Sequence, residues 1–351
     1  MGLVALPEQP DSIAWPTDRW PQLLGLPPAA ARLVDELFAD ETTFGATYAV
    51  VLIDRGVLVA ERYEGALANW SGPDVVVTAE TPLLSWSMAK SITHAAVGVL
   101  VREGRITPAA PAPVAAWSSD ERSTITLDHL LAMRDGLDFV EDYVSDPTTG
   151  DGVSNVIEML FGPGHDDVAA YATHRPLLHP PGSVFNYSSG TSNIVARIVG
   201  DVVGGGADQM RAFLHDELFA PIGMRSADPR FDAAGTFVGS SYVHATARDF
   251  AKFGLLYLRD GVWDGHRVLP EGWVDHARTV RSIDSDNGRP YGAHWWVVDD
   301  AYGTFWASGY EGQLVACVPE RDLVIVRLGK TDASLGPNLY QWRAAITEAM
   351  A

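Results

Sequence analysis

The 351-residue chain has one cysteine, Cys317, which excludes an intrachain disulfide. It lies in the run Leu314-Val315-Ala316-Cys317-Val318, where a thiol reads as a small buried hydrophobe. Long apolar runs are missing too, and no segment approaches the roughly 20 residues that span a bilayer. The N-terminal stretch Met1-Gly2-Leu3-Val4-Ala5-Leu6-Pro7 lacks the basic and apolar regions of a secretory signal, so a cytoplasmic location is expected. Positive charge is scarce: 25 Lys and Arg stand against 45 Asp and Glu, for a net charge of -20 and a pI near 4.7. That balance argues against nucleic acid and anionic membranes as partners.

Metal-binding patterns are equally thin. Only His174 and His179 among the ten histidines have a zinc-like spacing, and Pro176 between them reads as a loop. His165-Asp166-Asp167 are adjacent and do not converge on one face. Asp284-Ser285-Asp286-Asn287-Gly288 resembles the start of a calcium loop, but Trp295 falls where the bidentate acid belongs. No metal site and no organic cofactor are expected. The G-x-S-x-G elbow of α/β-hydrolases is also absent.

What is present is a soluble globular composition, 47% apolar and 20% charged, with enough chain for a substantial core. Apolar spacing predicts a helix over 28–40 and a hairpin of strands Thr47–Ile53 and Val57–Tyr63 around Asp54-Arg55-Gly56. Residues 64–84 read as a loop. Helices are expected over 126–134, 153–161, 166–174, 191–203, 207–219, 243–260 and 269–280. Strands return around 293–298, 303–307, 313–318 and 323–328, before a closing helix over 339–350. Strands at both ends with helices between predict an α+β fold. Residues 1–104 and 235–351 together build an antiparallel sheet, 105–234 form an inserted, mainly helical domain, and the active site lies between them.

Three short motifs carry chemistry. Ser87-Met88-Ala89-Lys90 opens an amphipathic helix, and one helical turn puts a hydroxyl and an amine on one face. Lys90 is one of three lysines, with Lys252 and Lys330; in a chain that otherwise uses arginine, a lysine facing an apolar surface suggests a group that must deprotonate. The alternative is a helix-capping serine with a lysine one turn on. Tyr187-Ser188-Ser189 follows a Pro-Gly turn; a tyrosine beside a lysine ammonium has its pKa lowered and can act as a base, or else packs its ring on a helix. In Ala307-Ser308-Gly309-Tyr310, glycine permits close approach and the Tyr310 N–H can donate to an oxyanion, or the segment is a plain hairpin turn. His94, four residues after Lys90, either lines the pocket or, as the favoured reading, packs as a core histidine.

Taken in order, these motifs resemble those of the serine β-lactamase and penicillin-binding-protein superfamily, in its class C and esterase branch. Glu141-Asp142-Tyr143-Val144, Phe185-Asn186-Tyr187-Ser188-Ser189, Trp295-Trp296 and Gly309-Tyr310-Glu311-Gly312-Gln313 are similar, more narrowly, to 6-aminohexanoate-dimer hydrolases. Two departures stand out. Ala307 takes the place of the Lys or His that helps bind a β-lactam carboxylate, and Ser189 replaces the Asn of class C enzymes. Lys330-Thr331-Asp332 is set aside as lying beyond the last strand.

The resemblance implies a β-lactamase-like fold and a serine hydrolase acting through a covalent acyl-enzyme. Ser87 is the nucleophile, Lys90 and Tyr187 share the base role, and the backbone N–H groups of Ser87 and Tyr310 hold the oxyanion. Tyr143, Ser189, Ser308 and Gly309 are the expected substrate contacts, with Tyr143 touching the scissile amide. A small linear amide or ester is the expected substrate. A carboxylesterase without amidase activity, a D-amino-acid peptidase and a non-catalytic binding or self-assembling protein are the alternatives. The assembly considered is a homodimer.

Overall fold

The computed structural model describes residues 2–69, 72–142 and 154–351. Helix α1 (Pro28–Ala39) begins at a proline, whose fixed φ suits the first helical turn. Strands β1 (Ala46–Asp54) and β2 (Val57–Tyr63) follow, joined through Arg55 and Gly56 at φ of 48° and 79°. Two successive left-handed residues give the turn twist that a tight hairpin favours. Helix α2 (Ala89–Arg102) comes next, then α3 (Ser189–Val202) and α4 (Ala247–Leu258). The C-terminal third supplies β3 (Ser282–Ile283), β4 (Pro290–Tyr291), β5 (Trp296–Val297), β6 (Phe305–Gly309), β7 (Gln313–Val318) and β8 (Leu323–Lys330), then helix α5 (Gly336–Ala349).

These eight strands form one antiparallel sheet in the order β3-β4-β5-β6-β7-β8-β1-β2, so both chain ends meet at its centre. Strand periodicity explains the layers. Along β1, Ala49, Val51 and Ile53 face a core shared with α2 and α4, while Val50 and Leu52 face α1 and α5. A strand covered on both faces is apolar at every position, hence the unbroken run from Ala49 to Ile53. Helix α4 presses close because residue 254 is glycine: a Cβ there would stand 2.6 Å from Val324 and 2.8 Å from Val315. Cys317 is buried in this layer, as its apolar setting predicts, and burial raises its thiol pKa. Among the described residues, no helix is long and apolar enough to cross a membrane.

Between α2 and α4 the chain is mostly helix and loop, with α3 packed against α2. Several expectations need correction. Residues 243–245 are not helical: Val243–Ala245 form a strand paired with Leu83–Leu84 and Asp228–Pro229. The helix starts only after Thr246, whose hydroxyl caps it by accepting from the Asp249 N–H. The 64–84 loop contains that first strand and a second pairing, Ala66–Leu67 with Val75–Val76. The 207–219 helix is α-helical only to Leu214 and widens to a π-turn over His215–Phe219. Lys330 is the last residue of β8 rather than a position beyond it, and it is exposed.

Candidate active site

The strand Leu83–Leu84 delivers the chain to Ser85, whose N–H donates to Val243 O at 2.8 Å and whose hydroxyl donates to Ser241 O at 3.2 Å. Trp86 then adopts φ of 44°, a left-handed conformation that costs a non-glycine residue on the order of 1 kcal/mol or more. The kink turns Ser87 into a buried position at the start of α2. One turn on, Lys90 is also buried. Its Nζ lies 3.0 Å from Ser87 Oγ, 3.0 Å from Ser189 Oγ and 3.1 Å from Ser240 O. Burial disfavours the ammonium and pulls its pKa down to about 8, against the opposing pull of Glu141.

Helix α3 brings the second motif alongside. Ser188 caps it, its hydroxyl accepting from Thr191 N–H at 3.0 Å. Ser189 is fixed from the other side by Glu141, whose carboxylate accepts from Ser189 N at 2.7 Å and Ser189 Oγ at 2.6 Å. With its proton committed to Glu141, the Ser189 oxygen is left to accept from Lys90. The Tyr187 hydroxyl lies near the Ser87 side chain, which acts to lower its pKa. Its ring stacks on Trp296 at 5.5 Å and meets the edge of Tyr291 at 6.0 Å. Here the expected electrostatics are reversed: burial and the Glu141 charge raise the Tyr187 pKa above its ordinary value. Lys90 stands over the ring face, 4.9 Å from its centre.

The third motif closes the opposite side. Strand β6 packs against the Trp86–Met88 turn, and a Cβ on Gly309 would stand 2.3 Å from Ser85 O. Tyr310 follows, its ring edge-on to Trp86 at 5.7 Å, while Trp86 Nε1 donates to the Glu311 carboxylate at 3.3 Å. Ser308 lies one residue back and lines a cavity of about 220 Å³ with Trp306, Tyr310, Arg289 and Tyr340. Ser87, Lys90, Tyr187 and Ser189 are thus brought together, and Gly309 and Tyr310 border them. Tyr143 lies outside the described residues.

Several neighbours carried no assignment from sequence. Glu141 lies 48 residues before its partner Ser189, and no spacing rule links them. Ser240 is held by its N–H donating to Asn193 Oδ1 at 3.1 Å. His294 sits behind Lys90, its Nε2 3.1 Å from Ser192 Oγ, and burial together with the Lys90 charge lowers its pKa to about 3. It is therefore neutral near pH 7 and adds no second cation. His94 turns into the core, 2.8 Å from Tyr257 Oη and 3.1 Å from His276, as a packed histidine should.

A profile of the beta-lactamase family matches residues 30–349. The chain belongs to the beta-lactamase family. Like others of this family it is a serine hydrolase, and the sequence Ser87-Met88-Ala89-Lys90 falls within the matched range. The chain is 30% identical over 327 residues to a 6-aminohexanoate-dimer hydrolase of Paenarthrobacter ureafaciens, covering 85% of this chain and 76% of that one. In fold it is similar to a candidate 6-aminohexanoate-dimer hydrolase from Bacillus anthracis, with a TM-score of 0.76 at 22% identity over 99% of this chain and 90% of the other. A penicillin-binding protein from Bacillus halodurans superposes with a TM-score of 0.69 at 16% identity, over 91% and 99%. Ala307, which opens the Ala307-Ser308-Gly309 segment, is buried and uncharged.

Proposed function

We propose that this enzyme hydrolyses a small linear amide or carboxylic ester through an acyl-enzyme on Ser87. The observation that carries the reading is Lys90: a buried amine with a pKa lowered to about 8, 3.0 Å from the hydroxyl it would deprotonate. The neutral amine takes the Ser87 proton as Oγ adds to the substrate carbonyl. The oxyanion is held by the backbone N–H groups of Ser87 and Tyr310, the first favoured by its place at a helix start. As the intermediate collapses, the carbon–nitrogen or carbon–oxygen bond breaks. Tyr187, a neutral phenol near Ser87, gives its proton to the leaving group and regains one from Lys90. Water then adds to the ester, its proton returns to Lys90, and Ser87 leaves with a proton restored.

Linear amides resembling a 6-aminohexanoate dimer are the favoured substrates, since the relative of that name aligns over most of both chains. The site draws Ser87 and Lys90 from residues 1–104, Glu141, Tyr187 and Ser189 from 105–234, and Tyr310 from 235–351. This supports a site between a helical domain and a sheet-bearing one. The deciding experiment is a panel of 4-nitrophenyl esters, amino-acid anilides, linear 6-aminohexanoate dimer and nitrocefin, run on wild type beside Ser87→Ala. Turnover of an ester or linear amide, lost in Ser87→Ala with the fold intact, supports the reading. Residual activity above about a tenth of wild type would point to another nucleophile. Ester turnover without any amide cleavage would leave a carboxylesterase.

A further inference from the structure

Arg327 is a charge in an unexpected place. It sits within β8 among Val326, Leu328 and other core residues, and its side chain is wholly buried. Among the described residues no carboxylate pairs with it. A guanidinium buried without a counter-ion is costly, and an aliphatic side chain would satisfy the strand pattern without that cost. The depth of burial pulls even its pKa down to about 9.

The surroundings are built to hold it. One amino group donates to the carbonyls of Glu311 and Gly312, both at 3.1 Å. The other donates to Ala46 O at 2.9 Å, Thr47 Oγ1 at 3.0 Å and Thr331 Oγ1 at 2.8 Å. Glycines make the room: a Cβ on Gly312 would stand 2.8 Å from one amino group, and one on Gly329 would stand 2.6 Å from the other. Gln313 completes the clamp, its amide donating to Tyr310 O at 3.0 Å and to Gly329 O at 2.7 Å. The clamped segment needs restraint, because Glu311 has a left-handed φ of 59°. The same Glu311 reaches Trp86, the residue before the nucleophile.

We propose that Arg327 is a positioning residue for acyl transfer. Its guanidinium locks the Tyr310–Gly312 turn so that the Tyr310 N–H stays aimed at the oxyanion formed on Ser87. The inference rests on the reading of Tyr310 as an oxyanion donor. Oxygen acceptors alone surround the guanidinium, so its five donors can tie three separate segments (44–47, 311–312 and 331) to one rigid plane. A loose turn would leave ground-state binding intact and weaken only the contact that strengthens as the oxyanion forms.

The test is Arg327→Met, assayed on folded protein for acylation of Ser87 by a 4-nitrophenyl ester and for inhibition by an alkyl boronic acid, whose tetrahedral adduct mimics the intermediate. The expected result is an acylation rate down about 30-fold or more, with KM within about threefold and boronate affinity falling in parallel. The pH midpoint of acylation should not move, since Lys90 is untouched. Thr47→Ala, which cuts contacts on the far side of the guanidinium, should lower Tm with acylation within about threefold of wild type. If Arg327→Met does not fold, Arg327→Lys replaces it; one ammonium cannot serve all three segments, and about a tenfold loss is expected. Unchanged acylation in either folded variant, or an equal kinetic loss in Thr47→Ala, would overturn the proposal. Tyr310→Pro, which deletes the N–H, separates the two ideas. If it acylates normally the oxyanion reading itself fails; if it is slow while Arg327→Met is not, only the role of Arg327 fails.

Discussion

Lys90 Nζ lies over the face of the Tyr187 ring, 4.9 Å from its centre, rather than against its hydroxyl. A cation over a π-face is held by the ring quadrupole and does little to stabilise a phenolate. Burial and the Glu141 charge drive Tyr187 toward its neutral form, whereas burial, against the pull of Glu141, lets Lys90 lose its proton more easily than a free lysine. In the proposed mechanism the two groups expected to share the base role therefore separate, with the amine as base and the phenol as proton carrier.

The pH profile follows from this. Protonated Lys90 cannot accept a proton, so kcat/KM should rise about tenfold per pH unit below its pKa of about 8 and level off above it. Tyr187→Phe should lower the plateau but leave the midpoint within about half a unit, because the phenol is not the titrating base. Lys90→Arg, always charged, should be as inactive as Lys90→Ala. A midpoint that disappears in Tyr187→Phe would return the base role to the tyrosine.

Glu141 should tune that midpoint. Its charge holds the Lys90 pKa up against burial, so Glu141→Gln should move the alkaline-rising limb to lower pH, by on the order of half to one unit. The plateau should also fall, since the carboxylate accepts from the Ser189 N–H and hydroxyl with two separate oxygens and glutamine replaces one of them with a donor NH2 group. A pH–rate series on the variant checks both effects, and a limb displaced to higher pH would contradict the assigned sign.

Gly309→Ala probes how closely the third motif must approach the nucleophile. The added methyl would meet backbone oxygen, Ser85 O at 2.3 Å, which no side-chain rotation relieves. Strand β6 must then retreat from the Trp86–Met88 turn, at a cost of about 1–3 kcal/mol in stability. Thermal melts should show the loss, and acylation of Ser87 in the folded variant should slow by about 100-fold as the Tyr310 donor moves away.

Tyr143 bears on amide selectivity. An amine leaves badly unless it is protonated, whereas an alkoxide needs less help. If Tyr143 contacts the scissile amide, Tyr143→Phe should depress amide cleavage by about 5- to 150-fold relative to ester cleavage, matching roughly 1–3 kcal/mol for one transition-state hydrogen bond. Parallel kcat/KM measurements on an amide and its matching ester check this, and equal losses on both would reduce Tyr143 to a wall of the pocket.

Much of this enzyme is written locally in its sequence. The proximity of Ser87 and Lys90 needs only one helical turn, and the two-sided burial of β1 shows in the continuous run Ala49–Ile53. The Arg55-Gly56 hairpin and the strand Gln313–Val318 are likewise set by near neighbours. Val243–Ala245 misled because a short apolar run reads equally as helix, and its pairing with Leu83–Leu84, some 160 residues earlier, is what makes it a strand. The same holds for the site's chemistry. Glu141 meets Ser189 across 48 residues, and Arg327 gathers oxygens from residues 44–47, 311–312 and 331. The Tyr187 pKa moves opposite to what its neighbour Lys90 alone suggests, because burial and a distant carboxylate act on it together. Spacing along the chain determines which side chains share a helix face or a strand face. Desolvation and charge pairing depend on distance through space, so which of those side chains ionises was decided only when remote segments packed together.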